Sequence, residues 1–176
     1  MSQLQLITRH DNTGFTEMNT RLRNLKPKDC PILERLLSRI TIFEKDDVTL
    51  AMELVYHSVD HPDQKDYSFF ISTDEDDIPV GYACYGPTPL TQGTFDLYWI
   101  AVDPAYAGLG IGTLLLAAVE EEVKQRRARM LIIDTSSAPS YAMTRQFYLK
   151  NHYTLTETIP DYFRDGEDRV TFIKKF

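Results

Sequence analysis

The sequence predicts a mixed α/β fold of the α+β kind, with one central, mostly antiparallel sheet of six to seven strands flanked by about four helices. Three observations predict it. Runs with strand character outnumber runs with helical periodicity. Most neighbouring strand runs are joined by connections suited to hairpins. One β-loop-α-β unit, Phe95 to Thr135, supplies a parallel step with a right-handed crossover.

The elements follow in order. Residues 1–17 are polar and irregular and read as a peripheral segment. A short strand is expected from Thr20 to Leu25. Asp29 then stands where a helix cap belongs, and Ile32, Leu33, Leu36, Leu37 and Ile40 recur at helical spacing behind Pro31. Asp46 or Asp47 starts a second helix, whose stripe Val48, Ala51, Met52, Val55 and Val59 stops at His61-Pro62. Two strands, Tyr67 to Thr73 and Val80 to Tyr85, flank the acidic run Asp74 to Asp77, which reads as a solvated hairpin tip.

Phe95 to Val102 is aromatic and β-branched and reads as a long central strand. Gly108, Gly110 and Gly112 lead into a helix that runs to about Gln125. Its Leu114, Leu115, Ala118, Val119 and Val123 are expected inside, and Glu120 and Glu122 outside, paired with Lys124 and Arg126. The apolar run Met130 to Ile133 marks a buried strand within Arg129 to Thr135. Pro139 to Lys150 reads as a helix, and Tyr153 to Ile159 and Arg169 to Phe176 as two closing strands. At 176 residues, with no repeat or linker, the chain is expected to form one domain.

Composition narrows the functional classes. A hydrophobic share of 43% with 26% charged residues is that of a globular protein rather than a disordered one. No run approaches the ~20 apolar residues of a membrane span, and the first residues lack the pattern of a signal peptide, so no membrane partner and a cytoplasmic location are the expectations. A formal net charge of −7 argues against a nucleic-acid partner, which calls for a basic face. Four scattered histidines and two isolated cysteines, Cys30 and Cys84, carry no metal-ligand spacing, so no metal is expected.

The glycine loop is the informative feature. A glycine-spaced turn at a helix N-terminus presents unpaired N–H groups beside the positive end of the helix dipole, and a pyrophosphate fits there. The competing reading is a close helix–strand contact that needs small residues, and spacing alone leaves both open. A P-loop needs Lys and then Ser or Thr after its last glycine, whereas Gly112 is followed by Thr113. A dinucleotide fingerprint needs a third glycine where Thr113 stands and a second mononucleotide unit downstream. Asp134 ends the next strand as that fingerprint requires, but only about forty residues remain after it.

Val102-Asp-Pro-Ala-Tyr-Ala-Gly-Leu-Gly-Ile-Gly-Thr-Leu-Leu115 resembles motif A of the GCN5-related N-acetyltransferase (GNAT) superfamily, written Gln or Arg, two residues, Gly, one residue, then Gly or Ala. Phe147-Tyr-Leu-Lys-Asn-His-Tyr153 resembles its motif B, a tyrosine followed within a few residues by Gly-Phe. Together the motifs span roughly a third of the chain. Three positions depart from the pattern. Ala107 replaces Gln or Arg, Tyr141 stands where the family frequently has asparagine, and Asn151-His152-Tyr153 replaces Gly-Phe, with Asn151 expected to supply the left-handed turn that glycine provides.

The resemblance implies an acetyl-CoA-dependent N-acetyltransferase in which an amine attacks the thioester directly. It also implies a sheet whose parallel pair is splayed, here Phe95–Val102 and Met130–Thr135, with the co-substrate between the strands. Cofactor contacts are then expected from Ala107, Gly108, Leu109, Gly110, Ile111, Gly112, Thr113 and Tyr141, and from the main chain of Ala101 and Val102, where an N–H faces the thioester oxygen. Tyr148, matching the motif B tyrosine, is the expected donor to the leaving thiolate. Asp96 is the preferred general base, and Tyr98, on the same strand face, the expected acceptor-pocket residue.

The partner so implied is a small-molecule or peptide amine, and many members of the family form dimers, so a homodimer is expected by analogy alone. Two other functions compete: a non-catalytic acyl-CoA-binding sensor or docking module, and, more remotely, a dinucleotide-binding fold.

Overall fold

The computed structural model describes residues 3–11 and 14–176, and the side chains from residue 20 onward. Eight strands and four helices are present among the described residues: β1 (Gln3–Asp11), β2 (Gly14–Arg23), α1 (Cys30–Ser38), α2 (Lys45–Asp60), β3 (Ser68–Thr73), β4 (Pro79–Pro87), β5 (Thr94–Val102), α3 (Ile111–Gln125), β6 (Met130–Ser136), α4 (Ala142–Lys150), β7 (Thr154–Arg164) and β8 (Glu167–Lys175). This is the expected mixed fold with one strand more. The extra strand is β1, which pairs antiparallel along β2 where an irregular segment was expected; residues 1, 2, 12 and 13 of that segment lie outside the described ones.

The chain resolves into two compact units, 1–84 with 99–119, and 85–98 with 120–176. In the first unit the strand order is β1-β2-β3-β4-β5. Leu33, Leu36 and Leu37 of α1 and Ala51, Met52 and Val55 of α2 meet Ile71, Tyr82 and Cys84 of the sheet in one buried cluster. This is the periodicity expected of the two helices, and each of the larger side chains so covered contributes roughly 1.5–3 kcal/mol. Trp99 packs against the same cluster.

The caps are made differently from those expected. Asp29 stands at the N-cap of α1, as expected, but its side chain makes no bond to the helix start. Its carboxylate accepts from the Lys26 N–H at 2.8 Å and from both terminal nitrogens of Arg23, at 2.7 and 2.8 Å, so it caps the short turn Pro27–Asp29 instead. The cap of α2 is Glu44, with Asp47 in the third helical position returning a bond to the Glu44 N–H. The acidic hairpin tip is not simply solvated. Asp77 binds Arg23, Lys26 and Lys28, and this clamp holds its carboxyl far below the usual carboxylate range.

In the second unit the order is β4-β5-β6-β8-β7. β5 and β6 are the parallel pair, while β6 runs antiparallel to β8, and β8 to β7. With antiparallel pairs predominating, the sheet departs from the mostly parallel one of a doubly wound dinucleotide fold. Leu131, Ile133, Val170 and Phe172 are buried on this sheet. Glu120 of α3 departs from the expected solvent face. It is 8% exposed and accepts from Lys174 at 2.8 and 2.9 Å and from the Tyr153 hydroxyl at 3.1 Å.

Candidate active site

The predicted site residues divide between the units. Ala101, Val102 and Ala107 to Thr113 belong to the first; Asp96, Tyr98, Tyr141 and Tyr148 belong to the second.

The loop from β5 to α3 is built on Asp103, which is 4% exposed. Its N–H donates to the Val80 carbonyl at 2.9 Å, and its carbonyl accepts from Tyr106 at 2.8 Å. Its carboxylate accepts from the Ala105 N–H at 3.0 Å and from the guanidinium of Arg39, at the end of α1. A buried carboxylate needs such partners, because an unpaired charge out of water is costly. Asp103 thereby sets the turn Pro104–Tyr106 from which the glycines emerge. Sequence reasoning missed both residues. Asp before Pro is a local turn signal that was available; Arg39, 64 positions away, has none.

Gly108 and Gly110 have φ of 77° and 83°, in the left-handed region that other residues rarely occupy. A Cβ added at Gly108 would meet nothing within 4 Å. The packing explanation for this glycine therefore fails: open space lies over it. The close helix–strand contact is made elsewhere, at Gly81, where a Cβ would stand 3.0 Å from the Ala101 carbonyl, 3.2 Å from Ile111 and 3.3 Å from Leu115. Helix α3 is 15 residues long, and Leu114 donates to the Gly110 carbonyl at 3.0 Å. The amides of Ile111, Gly112 and Thr113 precede that bond, so they lack acceptors within the helix and lie at its positive end. Ala107 gives its N–H to the Pro104 carbonyl at 3.2 Å.

β5 and β6 pair only over Thr94–Asp96 and Met130–Ile132, although β5 continues to Val102 and β6 to Ser136. The parallel ladder thus stops after three residues.

Asp96 is half-buried just where the ladder stops. Its carboxylate accepts from the Thr88 hydroxyl at 2.7 Å. Burial pushes its pKa up, the Thr88 bond opposes the shift, and the charge of Asp134 reinforces it. Asp134 is itself held by the Thr171 hydroxyl at 2.5 Å, with Arg169 at 3.7 Å. Tyr98, on the same strand, is 37% exposed.

Tyr148, on α4, is 4% exposed and ringed by aromatics, with centroids 5.7 Å from Phe172, 5.4 Å from Phe147 and 6.0 Å from Tyr153. Burial pushes its hydroxyl pKa well up. Tyr141 caps α4 and gives its N–H to the Ala138 carbonyl at 3.0 Å.

The turn after α4 corrects the expectation for Asn151. Its φ is −90°, and the left-handed residue is His152, at 66°. Asn151 instead ties the helix end with its side chain, Nδ2 donating to the Phe147 carbonyl at 2.8 Å. The Tyr153 N–H then returns to the Tyr148 carbonyl at 3.0 Å, fixing the end of the motif without glycine.

Among the described residues no group of three or more His, Cys, Asp or Glu is arranged to hold a metal, and no helix is long and apolar enough to cross a membrane.

Comparison with known proteins bears on this geometry. A GNAT-family acetyltransferase structure from Desulfovibrio desulfuricans matches with 36% identity and a TM-score of 0.85, over 89% of this chain and 98% of that one. An N-acetyltransferase structure from Thermoplasma acidophilum, solved with coenzyme A, shares the fold at 18% identity and a TM-score of 0.70, over 89% of this chain and 99% of that one. An uncharacterised N-acetyltransferase of Methanocaldococcus jannaschii is 32% identical over 77 residues, which are 43% of this chain and 48% of that protein, so the match spans about half of the relative's length. Residues 33–153 match the acetyltransferase (GNAT) family, a span that runs from α1 through the glycine loop to Tyr153, and the chain belongs to that family.

Proposed function

We propose that this protein transfers the acetyl group of acetyl-CoA to a primary amine. The observation that carries the reading is Gly108, a left-handed glycine with open space above it at the entry to a 15-residue helix. An anionic diphosphate fits such a place by charge and by size, because the backbone there is bare and the helix end is positive.

The chemistry asks four things of the chain. The amides of Gly108 to Thr113 hold the diphosphate. The main chain of β5 past Asp96, free of its parallel partner, is available to the pantetheine amides and, at Ala101 or Val102, to the thioester oxygen as charge develops there. The attacking amine must be neutral. A lysine-like amine at pH 7 is about 3.4 units below its pKa, a cost of roughly 4.6 kcal/mol, so a base is useful. Asp96 is the proposed base, directly or through water, and its raised pKa brings it nearer the operating range.

As the nitrogen–carbon bond forms, the carbon–sulfur bond breaks and its electron pair leaves on sulfur. Tyr148 is the proposed hydrogen-bond donor to that thiolate. With its pKa raised by burial, it stays protonated through the physiological range, which suits a donor better than a full proton giver.

Two measurements test the reading together. Coenzyme A is expected to raise the melting temperature and to shift the amide resonances of residues 108–113; no change in either removes the diphosphate site. Acetyl-CoA with a broad amine panel is expected to release free thiol. Binding without release over that panel favours the non-catalytic acyl-CoA module.

A further inference from the structure

Asp96 has a second carboxylate on its side of the sheet, and both residues belong to the second unit. Strand register puts it there. Asp96 stands opposite Ile132 in the last step of the parallel ladder, and Asp134 comes two residues farther along β6. Alternate residues of a strand share a face, so Asp134 is the first β6 side chain beyond the ladder to point where Asp96 points. With strands about 4.8 Å apart and about 3.3 Å of rise per residue, the two stand roughly 8 Å apart.

Asp134 is fixed in that place. It lies opposite Thr171 of β8, whose hydroxyl donates to Oδ1 at 2.5 Å, while Oδ2 is 3.7 Å from the Arg169 guanidinium. Arg169 is shared with Glu157 of β7, also at 3.7 Å, and lies over the Tyr162 ring, 4.7 Å from its centroid. One positive charge is thus divided between two negative ones, which leaves the charge of Asp134 only partly offset.

The other titratable groups on this face are more remote in register. β5 itself adds Tyr98. β8 adds Lys175, opposite Met130, and Glu167, which accepts from the Ser136 hydroxyl at 2.5 Å and pairs with Arg164. From the β4 side Asp96 meets the Thr88 hydroxyl at 2.7 Å. Of these charges only that of Asp134 is carried by a strand paired with β5. Burial raises the Asp96 pKa, the Thr88 bond opposes the rise, and Asp134 adds to it.

We propose that Asp134 is a positioning residue of the reaction: acting through Asp96, its charge sets how readily that carboxylate takes the proton of the attacking amine. The inference deepens the reading of Asp96 as the base and rests on it. Two carboxylates in unlike surroundings divide the labour, one accepting the proton and the other holding the first ready to accept.

Asp134→Asn removes the charge and keeps an acceptor for the Thr171 hydroxyl. The Asp134 side chain is 45% exposed, so solvent screens it, and at roughly 8 Å one like charge is worth about half a pH unit. A coupling of that size leaves the titration midpoint assignable to Asp96. The side-chain carboxyl resonance of Asp96, identified by its loss in Asp96→Asn, is expected to titrate about half a pH unit lower in Asp134→Asn than in the wild-type protein. In Asp134→Glu, which restores the charge, it is expected to return to the wild-type position. Thermal melts at pH 7 check that each variant is folded. The acid limb of kcat/KM for the amine is expected to move down with the resonance, while KM for acetyl-CoA stays within about two-fold.

An Asp96 midpoint that does not move in folded Asp134→Asn overturns the proposal and leaves Asp96 free to be the base. A midpoint that moves while the kinetic limb stays in place overturns it by another route, because the base is then not Asp96.

Discussion

The glycine loop and the surroundings of Asp96 and Tyr148 are built by opposite means. The loop is a main-chain feature. Its left-handed glycines, its capping Asp103 and the bare first turn of α3 are conformational facts, each traceable to a residue type that favours it. Tyr148 and Asp96, the proposed donor and base, are side chains whose character is set by packing: three aromatic rings around the first, Thr88 and Asp134 beside the second. The glycine turn is thus set largely by its own residue types, whereas the acid–base character of a side chain is set by how it is packed.

The side-chain arm predicts the largest effect. Tyr148→Phe is expected to lower kcat about ten- to hundred-fold, in the range of a lost acid or hydrogen-bond donor. Coenzyme A affinity should stay within a few-fold. Because the hydroxyl is buried among rings and titrates well above its ordinary value, the wild-type kcat profile should show no limb from this group below about pH 10. Steady-state kinetics across pH checks both. Undiminished turnover in the variant would reduce Tyr148 to a packing residue.

Two glycines sharpen the contrast within the first unit. Gly108→Ala meets no neighbour but forces a side chain onto a φ of 77°, at a cost of about 1–2 kcal/mol, and it puts a methyl group where the diphosphate approaches. Coenzyme A affinity is expected to fall about ten-fold, with a modest loss of melting temperature. Gly81→Ala has ordinary backbone geometry but drives a methyl to 3.0 Å from the Ala101 carbonyl. There the loss should appear as stability, about 1–3 kcal/mol, with affinity of the folded protein within a few-fold. Calorimetry alongside thermal melts tells the two apart; the reverse pattern would mean the loop glycines pack and do not bind.

How much was legible follows the same division. The stripe Leu33, Leu36, Leu37, the strand Phe95 to Val102 and the glycine spacing were readable because periodicity and conformational preference are local. Glu120 was misread as a surface residue because its partners, Lys174 and Tyr153, are 54 and 33 positions away. Asn151 was misassigned by one residue, since Asn and His both tolerate the left-handed region and the choice fell to the side-chain bond of Asn151 to Phe147. Arg39 was invisible for the reason that hid Glu120: only folding brings it to Asp103.

The smallest effect is the most discriminating, because it carries opposite signs for stability and activity. The pKa of Asp96 is raised, chiefly through burial, so the folded state favours its protonated form. Its contribution to stability is therefore complete below the unfolded value of about 3.9 and is lost as pH rises through the folded one. Asp96→Asn keeps an acceptor for the Thr88 hydroxyl and removes the titration. It is expected to raise the melting temperature slightly near pH 7 and to give no gain near about pH 3, while lowering kcat with amines that are protonated at neutral pH. A stability gain without loss of turnover would leave Asp96 as a strained surface-strand carboxylate and move the search for the base to other residues or to water.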